Sequence, residues 1–214
     1  MRKRQIKKVG SAIWFFQKNH INRQINSFER KISFKLSPFK AQEYIYSRGY
    51  ARYALSELFN IDPLKVPMFS MPGEQPILKD GWGNISFSHC RDAITIAWSS
   101  EKIGIDLERS DRKFDYEKLC QKYFSKKEKI NYEKLKYIDK RLYVLENWIM
   151  KEASFKCQSK KKSFDIFDWE WDKDSNLCSN RKLNKNLNFT LIKYKDWSIG
   201  ISSELRNNHI ICVN

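Results

Sequence analysis

Gly104-Ile105-Asp106-Leu107-Glu108-Arg109 and Asn147-Trp148-Ile149-Met150-Lys151-Glu152-Ala153-Ser154-Phe155-Lys156 are the two stretches on which the reading of this chain turns. In the first, Ile103, Ile105 and Leu107 alternate with Gly104, Asp106 and Glu108. A strand has period two, so one face is apolar and the other carries both carboxylates. Gly104, on the carboxylate face, leaves room for something to approach closely. In the second, Trp148, Glu152 and Lys156 stand at i, i+4 and i+8 and line one face of a helix. A solvated edge strand and an ordinary Glu–Lys surface stripe would produce the same two patterns. Trp148, with Ile149 and Phe155 nearby, argues that the helical stripe is not simply wet.

Three carboxylates that share a hard cation, beside a lysine that holds phosphate, suit the transfer or cleavage of a phosphate ester. Oxygen ligands select Mg²⁺ or a similar ion such as Mn²⁺, which takes one or two carboxylates together with waters and phosphate oxygens. Asp106, Glu108 and Glu152 are the candidate metal ligands. Lys156 is the candidate phosphate anchor, able to offset negative charge that grows in a transition state. Lys151 widens the positive rim. A third segment, Ile85-Ser86-Phe87-Ser88-His89-Cys90, closes a short strand with a Ser-His pair whose hydroxyl, imidazole and backbone N–H groups can donate to phosphate. Adjacent residues on a strand point to opposite faces, so Ser88 and His89 are badly placed to activate each other as nucleophile and base. The chain holds 3 histidines, and the other two, His20 and His209, are expected at the surface.

At 214 residues, with 41% hydrophobic and 14% aromatic residues, the chain is long enough for a real core, in one domain or two small ones. No apolar run approaches the roughly 18 residues of a membrane span. Ile13-Trp14-Phe15-Phe16, after a basic start, is too short for a signal-peptide core of about 7–15 residues. The 5 cysteines are scattered without a Cys-x-x-Cys pair, which argues against a zinc site and a disulfide framework and for reduced thiols in a cytoplasmic protein. The net charge is +16; of the first forty residues eleven are Lys or Arg and only Glu29 is acidic. Such a balance attracts polyanions without naming one, and part of it serves solubility alone.

The periodicity predicts a helix over 41–59 ended by Asn60-Ile61-Asp62-Pro63, a turn-rich loop over 71–83, and strands at 84–88, 93–98 and 102–108. Helices follow at 114–123, after the capping box Ser125…Glu128, and from about 139 to 157. Residues 164–171, 187–195, 197–203 and 210–213 alternate like antiparallel strands, and 172–188 reads as an exposed loop. Each half thus offers helix plus strands in similar amounts, with no obvious sequence repeat.

Together the three motifs resemble those of the phosphopantetheinyl transferases, specifically the larger surfactin-synthetase-activating type. That pattern is a strand ending in Ser-His, then Gly-(Ile/Val)-Asp-x-Glu, then Trp-x-x-Lys-Glu-(Ala/Ser)-x-x-Lys. Phe87-Ser88-His89, Gly104–Glu108 and Trp148–Lys156 follow it in order, and the match in the last is complete. Arg48-Gly49-Tyr50-Ala51-Arg52 looks like the family's arginine-bearing helix. The likeness covers about residues 27–171. Gly73-Glu74-Gln75-Pro76 departs from it, because family members often carry Gly-Lys-Pro there.

The resemblance implies an α+β fold, a pseudo-dimer of two similar halves (1–100 and 101–214) with the active site in the cleft between them. It implies transfer of the 4′-phosphopantetheine arm of coenzyme A to a serine of an apo acyl- or peptidyl-carrier protein, releasing 3′,5′-ADP. Asp106, Glu108 and Glu152 would hold Mg²⁺, Lys156 would contact the pyrophosphate, and Lys151 would assist at phosphates or ribose. Ser88 and His89, with Arg48 or Arg52, would hold coenzyme phosphate, and Glu152 would take the serine proton. The basic surface would meet an acidic carrier. A monomer is expected, with no membrane association and no stable nucleic-acid complex. Two other classes compete. A metal-dependent nuclease would use the same acids, but no lysine stands beside the strand carboxylates. A nucleic-acid-binding protein would explain the charge and leave the carboxylates idle, and no recognised motif for one appears.

Overall fold

The computed structural model of the chain describes residues 10–18, 21, 23–158, 166–205 and 209–213. The elements run β1 (Ser11–Gln17), α1 (Ser27–Ser33), α2 (Pro38–Phe59), a 3₁₀ turn (Pro63–Lys65), β2 (Met68–Phe69), β3 (Ile77–Leu78), β4 (Asn84–His89) and β5 (Ala93–Ser99). Then come β6 (Ile103–Arg109), α3 (Tyr116–Tyr123), α4 (Lys126–Glu133), α5 (Tyr137–Gln158), a 3₁₀ turn (Ile166–Asp168), β7 (Trp169–Asp172), β8 (Leu177–Asn180), β9 (Lys185–Tyr194), β10 (Trp197–Ser203) and β11 (His209–Val213). The chain divides into two compact units, one running to Lys102 and taking in β11, the other Ile103–Asn207. The last strand, β11, groups with the first unit.

In the first unit the sheet order is β11-β1-β5-β4, with β2 and β3 as a separate pair. Trp14, Phe16, Ile94, Ile96 and Trp98 pack against Tyr50, Ala51, Leu55 and Phe59 of α2. Burying a side chain of that size stabilises by about 1.5–3 kcal/mol. Asn60, in the left-handed region at φ 50°, caps α2 as its position before Asp62-Pro63 predicts. In the second unit all pairings are antiparallel, in the order β6-β10-β9-β8-β7. Leu145, Ile149, Met150 and Ala153 of α5 pack against Trp169, Cys178, Leu187 and Phe189. Cys120, Cys157 and Cys178 are buried free thiols, in keeping with their reading as small core residues.

One device recurs in both units. Asn26 caps α1 in a capping box with Glu29, whose carboxylate also receives Arg52 of α2, Nε to Oε2 at 2.7 Å. Ser125 caps α4 in a capping box with Glu128, whose carboxylate receives Lys151 of α5 at 2.9 Å. In each case the base lies twenty-three residues beyond the acid and is fully buried. Each long helix has 22 residues, and Arg52 and Lys151 occupy the same place along it.

One strand was not foreseen, and two expectations are corrected. Ile13-Trp14-Phe15-Phe16 is a strand in the interior of the first sheet, buried on both faces, which removes the alternation that marks a half-exposed strand. Residues 172–188 run from the end of β7 through two hairpin turns and β8 into β9. Asn176 and Asn184, at φ 53° and 48°, accept the left-handed backbone the turns require. In the tail, β11 pairs with β1 in parallel, not antiparallel. His20 and residues 164–165, where the expected strand began, lie outside the described residues.

β6 carries Gly104 directly beneath α5. A Cβ there would stand 2.0 Å from the carbonyl oxygen of Ala153 and 2.3 Å from the amide nitrogen of Cys157. Gly104→Ala must therefore push the helix off the strand and is expected to cost about 3 kcal/mol or more. Urea denaturation checks this, and a loss below about 1 kcal/mol would contradict the contact.

Candidate functional site

The expected glycine clearance is filled by the protein's own helix. Gly104 admits α5 to β6, and Gly200, paired with Asp106 on the neighbouring strand β10, admits Ile149. Ser154 and Ser202 share a 2.8 Å hydrogen bond across the same contact. Helix and strand thus meet almost backbone to backbone. Asp106, two residues from Gly104 and on the same face, is carried under the last two turns of the helix. There Lys156 Nζ donates to its Oδ1 at 2.7 Å.

The other carboxylates belong to the same electrostatic neighbourhood. Burial pushes Glu108 up to about 7, and the charges of Asp106 and Glu152 add to it against Arg112 and Lys156. Glu152 is raised by burial and then by Asp106, with Lys156 and Arg112 opposing. Burial works to lower Lys156, but Asp106, Glu152 and Glu108 outweigh it and hold the ammonium above its ordinary range. Asp106, Glu108, Glu152 and Lys156 are therefore brought into one neighbourhood. Arg112 was not foreseen: it donates to Glu108 Oε1 from four residues further on. The spacing was visible, but β6 ends at Arg109, so no helix period pointed to the pair.

Asp106 is paired with Lys156 and Glu108 with Arg112, while Asp106 raises both glutamates. Among the described residues no three His, Cys, Asp or Glu side chains are gathered tightly enough to hold a metal ion. By its chemistry the donor set still fits a hard divalent cation. All its donors are oxygen, and burial first, then the neighbouring Asp106 carboxylate, raises Glu108 and Glu152, so that added positive charge would favour their ionised forms. Lys156, with 23% of its side chain exposed, has room to exchange Asp106 for another anion.

Two expected coenzyme contacts, Lys151 and Arg52, lie inside the fold. Lys151 is fully buried; besides Glu128 it donates to the carbonyls of Phe167 and Trp169. Arg52 is equally buried, donating to both oxygens of Glu29 and to the carbonyls of Pro63, Val66 and Met68. Desolvation makes a buried cation tolerable only when it is paired, and both are engaged within the fold. Trp148, half-buried, stands edge-on to Tyr123 with ring centres 5.2 Å apart.

In the first unit Ser88 and His89 end β4 opposite Thr95 and Ile94. Ser88 is buried and His89 exposed, the alternation that keeps them from acting as a pair. Arg48 stacks 4.0 Å from the Tyr44 ring, lies 5.2 Å from that of Phe87, and donates to the Met71 carbonyl at 3.0 Å. It so ties the strand leading to Ser88 to the loop before Gly73-Glu74-Gln75-Pro76. The same unit has a groove of about 890 Å³ whose lining includes Lys18, Arg23, Arg30 and Arg91 and a single carboxylate, Glu43. The basic N-terminal segment announced three of these cations; only the fold collects them with Arg91.

No curated protein matches the chain. Residues 102–213, just over half of it, match the family model of the 4′-phosphopantetheinyl transferase superfamily. That span holds Asp106, Glu108, Glu152 and Lys156, whereas Arg48, Ser88 and His89 lie outside it. With this match over the unit that brings the three carboxylates to one lysine, the chain belongs to the 4′-phosphopantetheinyl transferase superfamily.

Proposed function

We propose that this protein transfers the 4′-phosphopantetheine arm of coenzyme A to a serine of an apo acyl- or peptidyl-carrier protein, in the manner of the surfactin-synthetase-activating type, releasing 3′,5′-ADP. The observation that carries the reading is the cluster of Asp106, Glu108, Glu152 and Lys156 within the family span. The recurrent acid–base pairs Glu29–Arg52 and Glu128–Lys151 support the two units as copies of one α+β plan, a pseudo-dimer. Ser88, His89 and Arg48 are proposed as coenzyme contacts from the first unit. No helix among the described residues is long and apolar enough to cross a membrane, and a cytoplasmic monomer is the setting we propose.

Asp106, Glu108 and Glu152 would hold Mg²⁺, with Mn²⁺ as a substitute. The ion, when bound, supplies positive charge to the pyrophosphate. Lys156 would leave Asp106 for the pyrophosphate oxygens and offset the charge left on 3′,5′-ADP. Glu152 would accept the proton of the carrier serine as its oxygen attacks the β-phosphorus; burial already raises its affinity for a proton. The attack forms the O–P bond to serine and breaks the bond to the 3′,5′-ADP oxygen. Positioning and charge do the rest. The +16 charge and the groove of Lys18, Arg23, Arg30 and Arg91 favour an anionic partner such as an acidic carrier.

Intact mass of an apo acyl-carrier protein, incubated with this protein, coenzyme A and Mg²⁺, is expected to rise by one phosphopantetheine arm and to stay unchanged with EDTA. No gain on acyl-, peptidyl- or polyketide-carrier substrates would overturn the reading. Asp106→Ala should abolish the metal-dependent gain, and turnover that persists without metal would sink the ligand assignment. Glu152→Gln is expected to lower kcat by about a hundredfold or more with far less change in coenzyme affinity. Equal losses in both would remove the base. Finally, kcat/KM for the carrier should fall steeply from low to physiological salt, and a flat profile would exclude electrostatic steering.

A further inference from the structure

Lys151 stands next to Glu152 in sequence yet projects about 100° around the helix from it. We propose that Lys151 is a positioning residue whose buried ion pair with Glu128 sets the rotation of α5 and so holds Glu152 and Lys156 against Asp106. Its kinetic test rests on the reaction proposed above.

The ammonium has three protons and three acceptors: Glu128 Oε2 at 2.9 Å, the Phe167 carbonyl at 3.3 Å and the Trp169 carbonyl. The side chain is 0% exposed, and the ring of Phe124 lies 5.3 Å from Nζ. No proton of the ammonium is left over for a phosphate. Residues 151 and 156 project about 140° apart around an α-helix. The helix is therefore held on one side by the Gly104 and Gly200 bed and on another by Lys151. The bed limits how far α5 stands from the sheet; the ion pair stops it from rolling. Glu128 is itself fixed, because the same Oε2 accepts the backbone N–H of Ser125 at 2.8 Å in the capping box.

The first unit supplies the control. Arg52 makes the equivalent pair with Glu29 and takes the carbonyls of Pro63, Val66 and Met68 around its guanidinium. The residue after it is Tyr53 where the second unit has Glu152, and Glu57 stands where the second unit has Lys156. The same buried pair is thus built where that carboxylate and lysine are missing. An architectural task explains both copies; a coenzyme contact explains neither.

Thermal melting and steady-state kinetics of Lys151→Met, Glu128→Gln, the double variant and Lys151→Arg test this. Gln keeps the capping acceptor and drops the charge. Each single charge removal is expected to lower Tm by about 5–10 °C, with the double variant losing much less than the sum. kcat should fall by about tenfold or more while KM for coenzyme A stays within about twofold. Lys151→Arg should recover most of kcat, since a guanidinium fills the same frame in the first unit. A large rise in coenzyme KM for Lys151→Met, with Glu128→Gln behaving like the parent, would overturn the proposal. Should Lys151→Met fail to fold, Glu128→Gln alone decides: lower kcat at unchanged coenzyme KM upholds the positioning role, and unchanged kcat refutes it. A parent protein inactive on every carrier would sink the reaction instead, and the melting cycle would then decide the pair, with strictly additive losses overturning it.

Discussion

The second unit depends on a helix lying on a strand with no side chain between them. A strand and a helix normally stand apart by the depth of two side-chain layers, because both surfaces carry Cβ atoms. At Gly104 one layer is missing, and the backbone of residues 153–157 occupies the place a Cβ would take. Gly200 repeats the concession on the next strand, where Ile149 settles. This close approach is what turns a strand carboxylate and a helix lysine, fifty residues apart in sequence, into a 2.7 Å pair. It is also what buries the carboxylates enough for each to feel the others. The chemistry of the site is therefore a consequence of two absent side chains.

The chain is strongly basic, yet its cations divide into two kinds that no composition distinguishes. Arg52 and Lys151 are out of water altogether, each with a carboxylate and carbonyls around it. A charge so placed is costly to strand, because removing its partner leaves it buried and uncompensated. Lys156, partly exposed and paired with Asp106, belongs to the other kind, as do the cations along the first unit's groove. What separates them is solvation. A cation that has already exchanged water for fixed acceptors has little to offer an incoming phosphate.

Much of this was legible in the residues. The alternation from Ile103 to Glu108, the i, i+4, i+8 stripe of Trp148, Glu152 and Lys156, and the capping box at Ser125 are local patterns, and local geometry decides them. β1 and the hairpins within residues 172–188 were not legible. A strand buried on both faces loses its period, and Asn- and Lys-rich turns resemble loops until their partners are known. The parallel pairing of β11 with β1 joins the two ends of the chain, a relation that no window of sequence contains.

By itself the sequence determined which side chains could do phosphate chemistry and on which faces of which elements they stand, because strand and helix periods are properties of the backbone. It could not assign Lys151 and Arg52, whose motif spacing is as suggestive as that of Lys156. Only the tertiary structure decided that these two point into the core toward Glu128 and Glu29, while Lys156 points toward Asp106. A side chain's role follows from what surrounds it, and its surroundings come from elements distant in sequence.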